Sequence, residues 1–151
     1  MSAAAKSNAL GSFLLDTNAC IALINGKPPS VRNRLTRRLD EGSQIFVSTI
    51  SALELWYGVE KSTSTMQDLN VARLEFFFSG PLRLLSFEDE DARVAGTIRA
   101  TLDKLGTPIG AYDLLIGAQA LRNKMSLVTS SEREFRRIPS LAWEDWAKSG
   151  A

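Results

Sequence analysis

The chain has no histidine among its 151 residues. That removes imidazole general acid–base catalysis, Ser-His-Asp and Cys-His hydrolases, and His-ligated metal sites. It has one cysteine, Cys20, which excludes an intrachain disulfide and a cysteine-based zinc site. Cys20 lies in the apolar run Ala19-Cys20-Ile21-Ala22-Leu23-Ile24, where packing is its expected role. No stretch reaches the roughly 18 apolar residues of a membrane span. Residues 1–12 are small and polar with one lysine and lack the apolar core of a signal peptide. They are expected to be an extension outside the fold, and the protein is expected to be cytoplasmic. Charge of one sign is also missing: 18 basic against 17 acidic residues leave +1, so any nucleic-acid-binding surface must be local. The chemistry left to this chain is that of carboxylates, hydroxyls and a hard metal ion.

What is present is an ordinary globular composition, 44% hydrophobic and 23% charged, sufficient for one core. Residues 13–147 are expected to form a single domain, followed by a tail at 148–151. Phe13-Leu14-Leu15 reads as a buried strand and 17–25 as a helix closed by Asn25-Gly26. An amphipathic helix with a basic outer face follows at 30–40, with Ser30 as its expected N-cap. Residues 44–48 read as strand two and Ile50–Lys61 as a helix. Another helix spans 66–78, with Leu69, Ala72, Phe76 and Phe77 on one side. Leu82–Phe87 is strand three. The helix over 88–105 starts acidic and turns basic, as the helix dipole favours. Tyr112–Asn123 is a strongly apolar helix, 126–129 is strand four, and Leu141-Ala142-Trp143 is a short fifth strand. Alternating strands and helices predict an α/β class fold, a three-layer α/β/α sandwich around a parallel sheet of about five strands.

In open parallel sheets, sites form at the carboxyl ends of the strands. Asp16 ends strand one, Ser48 ends strand two with Glu54 shortly after it, and Thr129-Ser130 ends strand four. The helix before strand four runs antiparallel to the sheet, so its first turn, with Asp113, reaches the same rim. Asp16 alone would read as a helix cap. Glu54, flanked by Ile50, Leu53, Leu55, Trp56 and Tyr57, reads as a carboxylate facing a cleft, where it needs a partner. Three clustered carboxylates repel unless a cation joins them. Oxygen-only ligands select Mg²⁺ or Mn²⁺, and a cation so held activates water and stabilises charge on a phosphoryl group. Phosphodiester hydrolysis is the reaction class.

With these residues in place, the chain resembles the PIN-domain ribonucleases, and among them the VapC toxins of bacterial toxin–antitoxin pairs. The resemblance rests on Leu14-Leu15-Asp16-Thr17-Asn18, on 48–59, on 106–116, on 127–135 and on Leu141-Ala142-Trp143-Glu144-Asp145-Trp146, together spanning about 13–146. It implies a five-stranded parallel sheet, Mg²⁺-dependent cleavage of RNA, inhibition by a VapB-type antitoxin, a homodimer, and tRNA as substrate. Asp16, Glu54 and Asp113 match the family's three core acids and its metal site. Relatives often carry Asp or Asn where this chain has Ser130, and His where it has Gln119. Glu134 stands where relatives often keep an acid. Arg133, Arg136 and Arg137 lie beside the proposed site and are expected to contact RNA phosphates. A second basic group is Lys27, Arg32, Arg34, Arg37 and Arg38. Trp56, Tyr57, Trp143 and Trp146 either stack on bases, line an antitoxin groove, or pack. Two other readings stay open: a PIN nuclease of RNA processing, and a PIN module that has lost its chemistry.

Overall fold

The computed structural model describes residues 11–148. Residues 1–10 of the expected extension and 149–151 of the expected tail lie outside the described residues.

Five parallel strands run β1 (Ser12–Leu15), β2 (Gln44–Ser48), β3 (Arg83–Leu85), β4 (Ser126–Val128) and β5 (Trp143–Glu144). Their order across the sheet is β3-β2-β1-β4-β5. The helices among the described residues are α1 (Thr17–Asn25), α2 (Pro29–Asp40), α3 (Thr49–Glu60), α4 (Ser64–Phe78), α5 (Asp89–Lys104), α6 (Ala111–Arg122) and α7 (Glu132–Phe135). The fold is the expected three-layer α/β/α sandwich.

The alternation of β1 assigns its residues to the two faces. Phe13 and Leu15 point into a core with Cys20, Leu23, Leu35, Leu55, Leu74 and Trp146. Leu14 points the other way, into a core with Ile98, Leu102, Ile116, Leu127 and Phe135. Helices α1–α4 therefore cover one face and α5–α7 the other, and a sheet buried on both sides needs the continuous apolar strands seen here. Trp146 is almost fully buried, with its ring centroid 5.5 Å from that of Phe13. Trp56 stacks on Phe78 at 6.4 Å, and half-buried Trp143 packs against the second core. These three tryptophans are packing residues, which leaves Tyr57 as the solvent-facing member of the group.

Several elements differ from expectation. Pro28, not Ser30, occupies the N-cap of α2, and the Ser30 hydroxyl instead donates to the Ala147 carbonyl at 3.0 Å. In α4 the buried residue is Leu74, joined by Val71, Phe77 and Phe78, while Leu69 and Phe76 are exposed. With aromatic and aliphatic residues distributed around that helix, its periodicity did not single out a face. β3 shrinks to three residues because it lies at the sheet edge and pairs with β2 alone. The Arg122 guanidinium lies 2.5 Å from buried Asp91, so the acidic start of α5 is also a pairing site beyond its dipole role.

The basic face of α2 is largely consumed by the fold. Arg34 is buried and lies 3.6 Å from Glu144; Arg38 pairs with Glu144 and Glu41 and sits 5.0 Å over the Phe13 ring; Arg32 donates to the Leu23 carbonyl. Arg34 and Arg38 lock α2 to β5 and β1, and Arg32 ties it to α1.

Candidate active site

The strand order places the site. The chain steps outward from β1 through β2 to β3, then returns to lay β4 and β5 on the other side of β1. The switch point lies between the carboxyl ends of β1 and β4, where ligands bind in open parallel sheets. Asp16 follows β1 there, and its backbone N–H donates to the Val128 carbonyl at 3.0 Å.

Asp16 serves two purposes. Its Oδ1 accepts the Ala19 N–H at 2.8 Å and so caps α1. Asp16 is only 3% exposed yet lines a cleft of about 610 Å³ together with Glu54 and Asp113. Burial raises its pKa; hydrogen bonds from the Thr129 hydroxyl and the Ala19 amide oppose the rise, and the charges of Glu54 and Asp145 add to it.

Glu54 reaches the cleft from α3, whose start is fixed by Ser48. The Ser48 Oγ accepts the Ile50 N–H at 2.9 Å and is bonded to Gln119 Oε1 in α6, whose Nε2 donates to the Leu85 carbonyl. Gln119 is fully buried, so its role is to hydrogen-bond β2, β3 and α6 together. Thr17 Oγ1 lies 2.5 Å from Glu54 Oε1 and 3.0 Å from Ser51 Oγ. A hydroxyl has one proton, and the charged acceptor takes it; Ser51 is then the donor to Thr17. Thr17 thereby sets the direction of Glu54.

Asp113 lies in the first turn of α6, half-buried. Burial pushes its pKa up to about 7, with further increases from a hydrogen bond to Glu134 and from the charges of Glu134, Asp16 and Glu54. Glu134 sits on α7, an element the sequence did not announce. Close-packed Gly117 lets α7 approach: a Cβ there would come within 2.5 Å of Ile138 Cδ1.

Ser130 is exposed and donates to Asp145 Oδ1 at 3.1 Å, an oxygen that also accepts the Ala147 N–H. Of the three arginines expected at phosphates, Arg136 pairs with Glu132 and Arg137 donates to the Pro108 carbonyl at 2.8 Å. Arg133 is exposed. Asp145, Thr17, Ser51 and Lys61 are site neighbours that sequence reasoning missed. Only Lys61 left a usable signal: it follows Leu53 and Tyr57 at intervals of four on the Glu54 helix. Cys20 is buried with a raised pKa, from burial first and Asp16 second, and acts as a packing residue.

Among the described residues, no group of three or more acidic or cysteine side chains stands ready to ligate one ion directly. Mg²⁺ does not need such a cage, since it keeps several waters and takes one or two carboxylates. The all-oxygen donor set, and an Asp113 raised by burial and then by its acidic neighbours, fit a hydrated hard cation.

Comparisons with known proteins agree with this fold. The PIN-domain profile matches residues 13–141. The tRNA(fMet)-specific endonuclease VapC of Salmonella typhimurium is 40% identical over 134 residues, spanning 89% of this chain and 97% of that protein. Ribonuclease VapC2 of Rickettsia felis is 38% identical over 136 residues, or 90% and 98%. Among solved structures, the Rickettsia felis VapBC2 complex bound to a promoter DNA fragment has a TM-score of 0.82 at 36% identity, covering 89% of this chain and 98% of that one. The chain belongs to the VapC ribonucleases of the PIN-domain family. Ribonucleases of this class are metal-dependent.

Proposed function

We propose that this protein is a toxin that cleaves RNA endonucleolytically with Mg²⁺ or Mn²⁺ and is neutralised by a VapB-type antitoxin. The observation that carries the proposal is the convergence of Asp16, Glu54 and Asp113, from three separate elements, on one cleft at the switch point of the sheet. The tRNA(fMet)-specific relative and the VapBC complexes support a tRNA substrate and a VapB partner. A homodimer and a cytoplasmic location belong to the same reading; among the described residues no helix is long and apolar enough to cross a membrane.

Asp16 and Asp113 would hold the cation, and Glu54, aimed by Thr17, would ligate it as well or orient a water for in-line attack on phosphorus. The cation, when bound, polarises that water and the phosphoryl oxygen. Glu134, hydrogen-bonded to Asp113, steadies that side chain. Asp145, held by Ser130 and the Ala147 amide, adds negative field at Asp16 without a fourth acid after β4.

The test is expression in bacterial cells with and without a VapB-type antitoxin, with sequencing of RNA 5′ ends. Growth arrest with new ends in tRNA, abolished by the antitoxin and by Asp16→Asn, is expected. Harmless expression of intact protein would contradict a toxin.

A further inference from the structure

The acidic cleft carries a second feature that catalysis by carboxylates does not use. Tyr57 lines it and is 62% exposed, leaving most of its ring free to solvent. The Lys61 ammonium lies 5.1 Å from the centroid of that ring. Lys61 is the one cation among the described residues lining this cleft, against Asp16, Glu54 and Asp113. Gly58, between them on α3, leaves open space where a side chain would stand. A polyanionic substrate entering a cleft of three carboxylates needs a positive contact, and an unpaired base needs an aromatic surface.

We infer that Tyr57 and Lys61 form a nucleotide subsite: Tyr57 stacks on an unpaired base flanking the scissile phosphate, and Lys61 contacts the neighbouring phosphate. The Lys61 ammonium covers part of one ring face, and the exposure of Tyr57 leaves surface for a base. On α3 Tyr57 stands one turn beyond Glu54 and Lys61, at the C-cap, two turns beyond, so a strand whose phosphate meets Glu54 passes Tyr57 and then Lys61. Base stacking tolerates many sequences, so the subsite selects single-stranded over paired RNA rather than one base. The inference rests on the nuclease reading above, and its occupant is RNA; the antitoxin is the competing occupant.

The experiment uses the full chain, tRNA(fMet) with its cut mapped, and two versions lacking the base on one or the other side of the cut. Tyr57→Ala is expected to raise KM about tenfold, from the stacking energy of one base, with kcat changed less than about twofold. Tyr57→Trp is expected to restore KM. Removing the stacked base is expected to weaken wild-type cleavage similarly and to add nothing to Tyr57→Ala. Lys61→Met is expected to lower the salt slope of RNA binding by about 0.7, the value for one phosphate on a single strand. An unchanged KM in Tyr57→Ala, or losses from ring and base that multiply, would overturn the subsite. So would weaker VapB binding with RNA affinity unchanged. If wild type cuts no RNA, the nuclease reading fails; anisotropy of the same labelled RNAs, read without cleavage, still decides whether Tyr57 and the base are coupled.

Discussion

The hydroxyl of Thr17 and the carboxylate of Glu54 meet at 2.5 Å across 37 positions of sequence, joining the first residue of α1 to α3. That contact converts Glu54 from a long, rotatable acid into an aimed one. Replacing Thr17 with Val keeps its shape and removes the donor. A hydrogen bond to a charged group contributes about 1.5–3 kcal/mol, so kcat is expected to fall on the order of tenfold to a hundredfold. RNA KM stays near wild type, and Thr17→Ser keeps most activity. Steady-state kinetics on tRNA would show it.

The raised Asp113 makes stability depend on pH and metal. Its folded pKa of about 7 stands above the ordinary 3.8, so between those values the folded chain holds more protons than the unfolded chain. The contribution of Asp113 to stability is therefore full below about pH 4 and is lost as pH rises through about 7; Asp16 is shifted in the same direction. Thermal melts in EDTA are expected to decline across this window. On the proposed function, Mg²⁺ added to the folded site is expected to reverse the loss, by about 2.7 kcal/mol at a hundredfold its Kd. Asp113→Asn flattens the EDTA profile.

Asp91 is structural. Its Oδ2 accepts the Glu88 N–H at 2.8 Å, and its Oδ1 takes the Arg122 Nε–H. Asp91→Ala loses the cap of α5 and the pair, and is expected to cost about 2 kcal/mol by denaturant titration. The rate of RNA cleavage, measured well below the melting temperature, stays unchanged.

Ser130, just after β4, is exposed and turned to Asp145. Ser130→Ala is expected to change cleavage by no more than about twofold, the usual range of a surface substitution. A much larger loss would assign its hydroxyl a direct role in metal or water binding.

Much of this was legible in the sequence. Strand ends at Asp16, Ser48 and Thr129, with the antiparallel helix carrying Asp113, brought the acids to one rim, because hydrophobic periodicity and parallel topology determine which ends share an edge. The Glu134 position was legible only through resemblance, since α7 is too short to show periodicity. The Thr17–Ser51–Glu54 chain was not, because hydroxyl partners lie far apart in sequence and carry no pattern. Nor was the fate of the α2 arginines: Arg34 and Arg38 look like a solvated basic face until Glu144 and Phe13 are placed against them. Leu74 in place of Phe76 as the buried face of α4 depended on which neighbours that helix meets.

The most direct test is single-turnover cleavage of tRNA(fMet) by purified wild type, Asp16→Asn and Asp113→Asn, in Mg²⁺ and in EDTA. The expected result is a defined cut by wild type in Mg²⁺ alone, lost in EDTA and reduced at least a hundredfold in both variants, consistent with the several kcal/mol a bound cation supplies. Wild-type rates in EDTA, or undiminished cleavage by either variant, would contradict a carboxylate-held metal centre at Asp16 and Asp113.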